Sequence, residues 1–143
     1  MPNVPTVLLI EADTTLARSV VQLAQPVFGK IVWDTVSSIA EAITHVEKNE
    51  TYQLVLVDSA TFDTPIAPDA IDALIDHPSL TFTPILLLDT LLDAFRAKRA
   101  YNKGFSACHS KPVTMEGWNA LLSQLYRYWF TINLTPATRL RSV

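Results

Sequence analysis

Five times along the chain, a short run of mostly apolar residues gives way to a stretch with helical spacing. That alternation restricts the fold more than any single motif. Strands separated by helices pair in parallel through right-handed crossovers, with helices on both faces of the sheet. TVLLIE (6–11) is the first predicted strand. Asp13 or Thr14 can then cap a helix whose inner face is Leu16, Val20, Leu23 and Val27, ending at Gly29. KIVWD (30–34) predicts the second strand. Ser37 or Ser38 caps the next helix, with Ile39, Ile43 and Val46 inward. YQLVLVD (52–58) is the third strand, followed by a loop with Pro65 and Pro68 and a short helix near 69–76. TPILLLD (83–89) is the fourth, with Pro84 tolerable at a strand start. A helix over 91–102 stops at Gly104, FSACHS (105–110) is the fifth strand, and Trp118, Leu121, Leu122, Leu125 and Trp129 line a last helix. The expectation is an α/β fold, a doubly wound (βα)5 parallel five-stranded sheet over residues 1–130, with 131–143 as a C-terminal tail.

A chain of 143 residues is long enough for one domain with a real core. Its hydrophobic fraction of 49% and charged fraction of 17% are those of a globular protein. The net charge is -3, and Arg139 with Arg141 is too short a basic feature for a nucleic-acid surface. Cys108 is the only cysteine, which excludes an internal disulfide and fits a reducing compartment. The opening MPNVPTVLLIEAD lacks the charged and apolar regions of a signal peptide, and Asp89 and Asp93 interrupt the longest apolar runs. A soluble cytoplasmic domain without membrane contact is expected.

Several chemistries are excluded by what is missing. Three glycines, Gly29, Gly104 and Gly117, form no phosphate-binding loop or dinucleotide fingerprint. His45, His77 and His109 stand in no metal-ligand spacing, and Cys108 beside Ala107 reads as packing.

What remains collects at the carboxyl ends of the strands, the edge where such sheets place their sites. Glu11 and Asp13 follow the first strand, Asp58 the third and Asp89 the fourth; the fifth runs to Lys111 and Pro112. A single aspartate after a strand is usually a turn former, so the weight lies in the convergence. Carboxylates held together repel by about 1–4 kcal/mol per pair at ~4 Å. A cation relieves that repulsion, and hard oxygen ligands suit Mg²⁺.

On these residues the chain resembles the receiver domain of bacterial two-component response regulators, the CheY-like, flavodoxin-like fold with strand order 2-1-3-4-5. VLLIEAD, LVLVD, TPILLLD and KPV match its acidic, phospho-acceptor, fourth-strand and lysine segments. AYNKGFSACHSKPV (100–113), and YWFTIN with Pro136, are similar to segments of stand-alone receivers. The resemblance implies that Asp58 accepts a phosphoryl group from a phosphohistidine on a histidine kinase or phosphotransfer protein. It implies a Mg²⁺ site from Glu11, Asp13, Asp58 and the carbonyl of Ala60, and a neutralising role for Lys111. Asp89 and Cys108 fall at the switch positions.

Four places depart from the receiver pattern, one of them the loop SATFDTPIAPDA after Asp58, which lacks the usual Met-Pro and Gly. Ala12 stands where a second acid usually ligates the metal, Asp89 where a Ser or Thr donates to the phosphoryl group, and Cys108 where an aromatic ring swings. Asp89 is expected to pair with Lys111 or Asp58. The implied protein is a degenerate, non-enzymatic single-domain receiver, slow in phosphotransfer or signalling by contact with a downstream protein. The competing class is a metal-assisted hydrolase on a flavodoxin-like fold, which lacks an evident nucleophile–base pair. In the last helix Tyr128 and Phe130 fall off the inner stripe, leaving them to pack the tail or to form a homodimer face.

Overall fold

The computed structural model describes residues 6–48, 52–62 and 69–133. Their order is β1 (Thr6–Ile10), α1 (Thr14–Phe28), β2 (Val32–Val36), α2 (Ile39–Lys48), β3 (Tyr52–Asp58), α3 (Ala70–Ile75), β4 (Ile85–Asp89), α4 (Ala94–Lys103), β5 (Ala107–Ser110) and α5 (Met115–Arg127). Short 3₁₀ turns at Ser59–Thr61 and Pro78–Leu80 follow β3 and α3. The five strands form one parallel sheet in the order β2-β1-β3-β4-β5, as expected, with β3 in the middle.

Successive strand residues point to opposite faces. Leu8, Ile10, Val55, Val57, Ile85 and Leu87 share one core with α2, α3 and Ala100 of α4. Val7, Leu9, Leu54, Leu56, Leu86 and Leu88 share the other with α1 and α5. Because both faces are covered, β1, β3 and β4 are buried along their length, which is why they read as continuous apolar runs rather than alternating ones.

The structure shifts several sequence readings. β2 is Val32–Val36 rather than 30–34. Gly29, in the left-handed region at φ 60°, closes α1 by donating to Gln25, and Ile31 donates to Phe28, so pairing begins with Val32 opposite Thr6. The buried face of α1 is Ala17, Val20, Ala24 and Phe28. Leu16, Leu23 and Val27 flank it half-buried, so small side chains stand where helix and sheet approach most closely. Asp13 caps α1 through Leu16 N–H at 3.0 Å, and Ser38 caps α2 through Glu41 N–H at 3.1 Å. α4 begins at Ala94 because Asp93 caps it through Arg96 N–H at 2.8 Å. It ends at Gly104, φ 114°, where an added Cβ would stand 2.9 Å from Ile75 Cγ2.

α5 runs into a π-helical turn, Tyr128–Ile132. Its wider turn brings Phe130 round to the core, 6% exposed, against Phe28 and Tyr126 at centroid distances of 5.7 and 6.1 Å. Phe130 is therefore a core residue and not a partner face; Tyr128 stays 48% exposed. The loop prolines Pro65 and Pro68, and the tail from residue 134 with Pro136, Arg139 and Arg141, lie outside the described residues. Among the described residues no helix is long and apolar enough to cross a membrane.

Candidate functional site

The carboxyl ends of β1, β3 and β4 bring three of the expected acids to one rim, each in a different environment. Glu11 follows β1, its N–H donating to Val36 of β2 at 2.9 Å, and is 3% exposed. Asp58 ends β3 and is 4% exposed. Lys111 follows β5, and its backbone N–H donates to the carbonyl of Asp89 at 3.0 Å. That bond aims the side chain inward. Its ammonium lies 2.6 Å from Glu11 Oε1 and 3.2 Å from Asp58 Oδ1. One cation thus bridges two buried carboxylates contributed by segments far apart in the chain.

Burial and the charge of Glu11 push the Asp58 carboxyl above its ordinary pKa; Lys111 and the Ala60 N–H oppose this without cancelling it. For Lys111, burial alone would lower the ammonium's pKa. The hydrogen bond to Glu11 and the charges of Asp58 and Glu11 outweigh it and raise the value. A carboxyl with a raised folded-state pKa ionises at a cost to the fold, a cost present once the pH exceeds that pKa. Asp58→Asn is accordingly expected to raise the melting temperature at neutral pH by a few degrees, each ~1 kcal/mol moving the midpoint by about 4 °C. Calorimetry of the two proteins at neutral pH and in acid checks this, and the gain should shrink as the pH falls and Asp58 protonates.

Asp89 does not pair with Lys111 or Asp58, contrary to expectation. Its carboxylate, 1% exposed, is held by Arg96 Nε at 2.6 Å and Nη2 at 3.2 Å, by Ser59 Oγ at 3.1 Å and by Leu91 N–H at 3.0 Å. Burial would raise its pKa. The bonds from Arg96, Leu91 and Ser59, with the Arg96 charge, outweigh burial and hold it below the ordinary carboxylate value. Arg96 lies beyond the loop that follows Asp89, and no sequence signal joins the pair. The first turn of α4 supplies it, because the Asp93 cap sets where that turn begins.

The remaining expected positions fall outside the bridged cluster. Asp13 Oδ1 is engaged as the α1 cap. Ala60 lies in the 3₁₀ turn and points its N–H toward Asp58. Cys108 is half-buried on β5 opposite Leu87, packed against the α2–α3 core. The carboxylates of the expected Mg²⁺ set are thus engaged within the protein. Two of its carboxylates already share an ammonium, the third caps a helix, and Ala12 offers no oxygen from its side chain. Among the described residues no group of three acid, imidazole or thiol side chains converges as a metal site. The chemistry that remains is a buried, partly neutralised carboxylate at a rim, able to act as a nucleophile toward an electrophile that itself brings charge compensation.

No family model matches the chain. No curated protein matches it either. Solved structures do. The response regulator RPA3017 in red light signaling of R. palustris superposes with a TM-score of 0.78 at 17% identity, covering 93% of this chain and 99% of its own. A response regulator receiver domain from Rhodospirillum rubrum gives 0.74 at 22%, with 93% and 98% covered. The Mn(2+)-bound form of response regulator Rcp1 gives 0.73 at 14%, with 92% and 99% covered. A metal ion thus occurs in at least one protein of this architecture. At such identities the likeness is one of fold, and the fold of this chain is that of response-regulator receiver domains.

Proposed function

We propose that this chain is a receiver in two-component signalling, with a degenerate site that communicates mainly through contact with a partner protein. The observation that carries the reading is the Lys111 bridge between Glu11 and Asp58, in a sheet of receiver order. Asp58 is the residue that accepts a phosphoryl group: a carboxylate oxygen bonds to phosphorus as the bond to the donor's imidazole nitrogen breaks. Such transfer depends on positioning and charge neutralisation. Lys111 supplies one positive charge there, already shared between two acids. Transfer is therefore slow, and no hydroxyl stands at position 89 to follow the phosphoryl group. The upstream partner is a histidine kinase or phosphotransfer protein, and the output is a downstream protein. Catalysis of metal-assisted hydrolysis is not favoured, since the donor set does not assemble.

Incubation with a small-molecule phosphodonor and Mg²⁺, followed by intact-mass measurement, tests the reading. Weak labelling that disappears in Asp58→Asn is expected. Ala12→Asp combined with Asp89→Thr should raise the rate about tenfold or more, the scale of one restored charge-stabilising group in phosphoryl transfer. Fast, complete labelling of the unmodified chain would defeat the degenerate assignment. Labelling that persists in Asp58→Asn would remove Asp58 as the acceptor.

A further inference from the structure

Beside the carboxylate rim, a cavity of about 440 Å³ opens between α3 and α4. Leu87 of β4 and Phe105 form its base, and Phe62, just after the turn that follows Asp58, forms one side. Phe62 and Phe105 stack on each other at a centroid distance of 5.7 Å, so the lining includes an aromatic pair.

The opposite side is cationic. Arg96, Arg99 and Lys103 recur at i, i+3 and i+7 on α4, one stripe of that helix, and all three line the cavity. Arg96 is tied to Asp89 at 2.6 Å and Lys103 to Asp72 of α3 at 3.2 Å. Arg99 has no carboxylate partner among the described residues; its guanidinium lies 5.9 Å from the Phe95 ring. The lining therefore combines one uncompensated positive charge with an aromatic pair, in a volume typical of small-molecule sites.

We propose that this cavity binds a small monoanionic aromatic ligand, a carboxylate or sulfonate, with its anionic group on Arg99 and its ring against Phe62 and Phe105. Charge sets the class. Two of the three cations are already neutralised, so a polyphosphate would have to break the Lys103–Asp72 pair to be matched, whereas a single negative charge meets Arg99 directly. A bound ring also borders Ser59 and Asp89, which line the same cavity. Occupancy thus bears on the Ser59–Asp89 hydrogen bond, one residue from Asp58. The assignment stands whether or not Asp58 accepts phosphate.

The probe is 8-anilinonaphthalene-1-sulfonate, titrated into the full chain by fluorescence at neutral pH. Saturable one-to-one binding is expected, with amide shift changes centred on Phe62, Leu87 and Phe105. Arg99→Glu should weaken binding by about tenfold or more, and Arg99→Gln in the same direction by less. Arg99 is exposed, so both variants are expected to melt like the parent. Arg18→Glu, exposed on α1 across the sheet, should bind as the parent does. Binding that fails to saturate, that Arg99→Glu leaves intact, or whose shift changes centre elsewhere overturns the proposal.

Discussion

Arg96→Met is expected to destabilise the protein by about 3 kcal/mol, because removing one partner of a buried ion pair leaves the other charge uncompensated. The charge left behind is Asp89, 1% exposed, with only the Ser59 hydroxyl and the Leu91 N–H still donating to it. At ~4 °C per kcal/mol the midpoint falls by roughly 10 °C. The pH dependence follows from the depressed folded-state pKa of Asp89. Its stabilising contribution is full above the ordinary carboxylate range and is lost as the pH falls through the folded value. The gap between parent and variant is thus widest at neutral pH and closes in acid. Arg96→Met with Asp89→Asn should recover more than half of the loss, since no buried charge then remains. Melting curves of the parent, both single variants and the double variant across pH decide the matter, and a double variant no better than Arg96→Met would show that the guanidinium acts through packing instead.

Lys111→Met is expected to cost about as much, for a different reason. The ammonium, 11% exposed, is the cation shared by Glu11 and Asp58. Without it two buried carboxylates face each other, at a repulsion of about 1–4 kcal/mol for a pair ~4 Å apart, and each loses its buried partner. The raised folded-state pKa of Lys111 means that its contribution is complete below the ordinary lysine value and fades only as the pH rises through the folded one. The deficit of the variant is therefore fully expressed at neutral pH. It shrinks in acid as Asp58, whose pKa is raised, takes up its proton. The vacated pocket also becomes the place for an external cation, so millimolar Mg²⁺ should raise the melting temperature of Lys111→Met while leaving the parent nearly unchanged. Equal Mg²⁺ effects on both, or a deficit indifferent to pH, would contradict the internal-cation account.

Much of this arrangement was legible in the sequence because the signals were periodic. The apolar runs ending at Glu11, Asp58 and Asp89, separated by helical spacing, implied the parallel sheet and the shared rim. Lys111 was legible through its place at the end of the fifth strand, on the edge where the acids converge. Failures arose where tertiary packing decides. Small residues, Ala17 and Ala24, took the closest approach on α1 from Leu16 and Leu23 because helix-to-sheet distance is invisible to periodicity. Phe130 was misplaced because one π turn changes the phase of every later residue. The partner of Asp89 was missed because the carboxylate's direction depends on where α4 begins, set by a side-chain cap four residues on.

The attachment of Lys111 has a consequence for how the sheet comes apart. β5 lies at an outer edge, where a four-residue strand would ordinarily fray. Yet the residue that follows it is anchored by its main chain to β4 and by its side chain to the ends of β1 and β3. Peeling that edge away exposes two acids at once, so the carboxyl end of β5 loosens only when the middle of the sheet does.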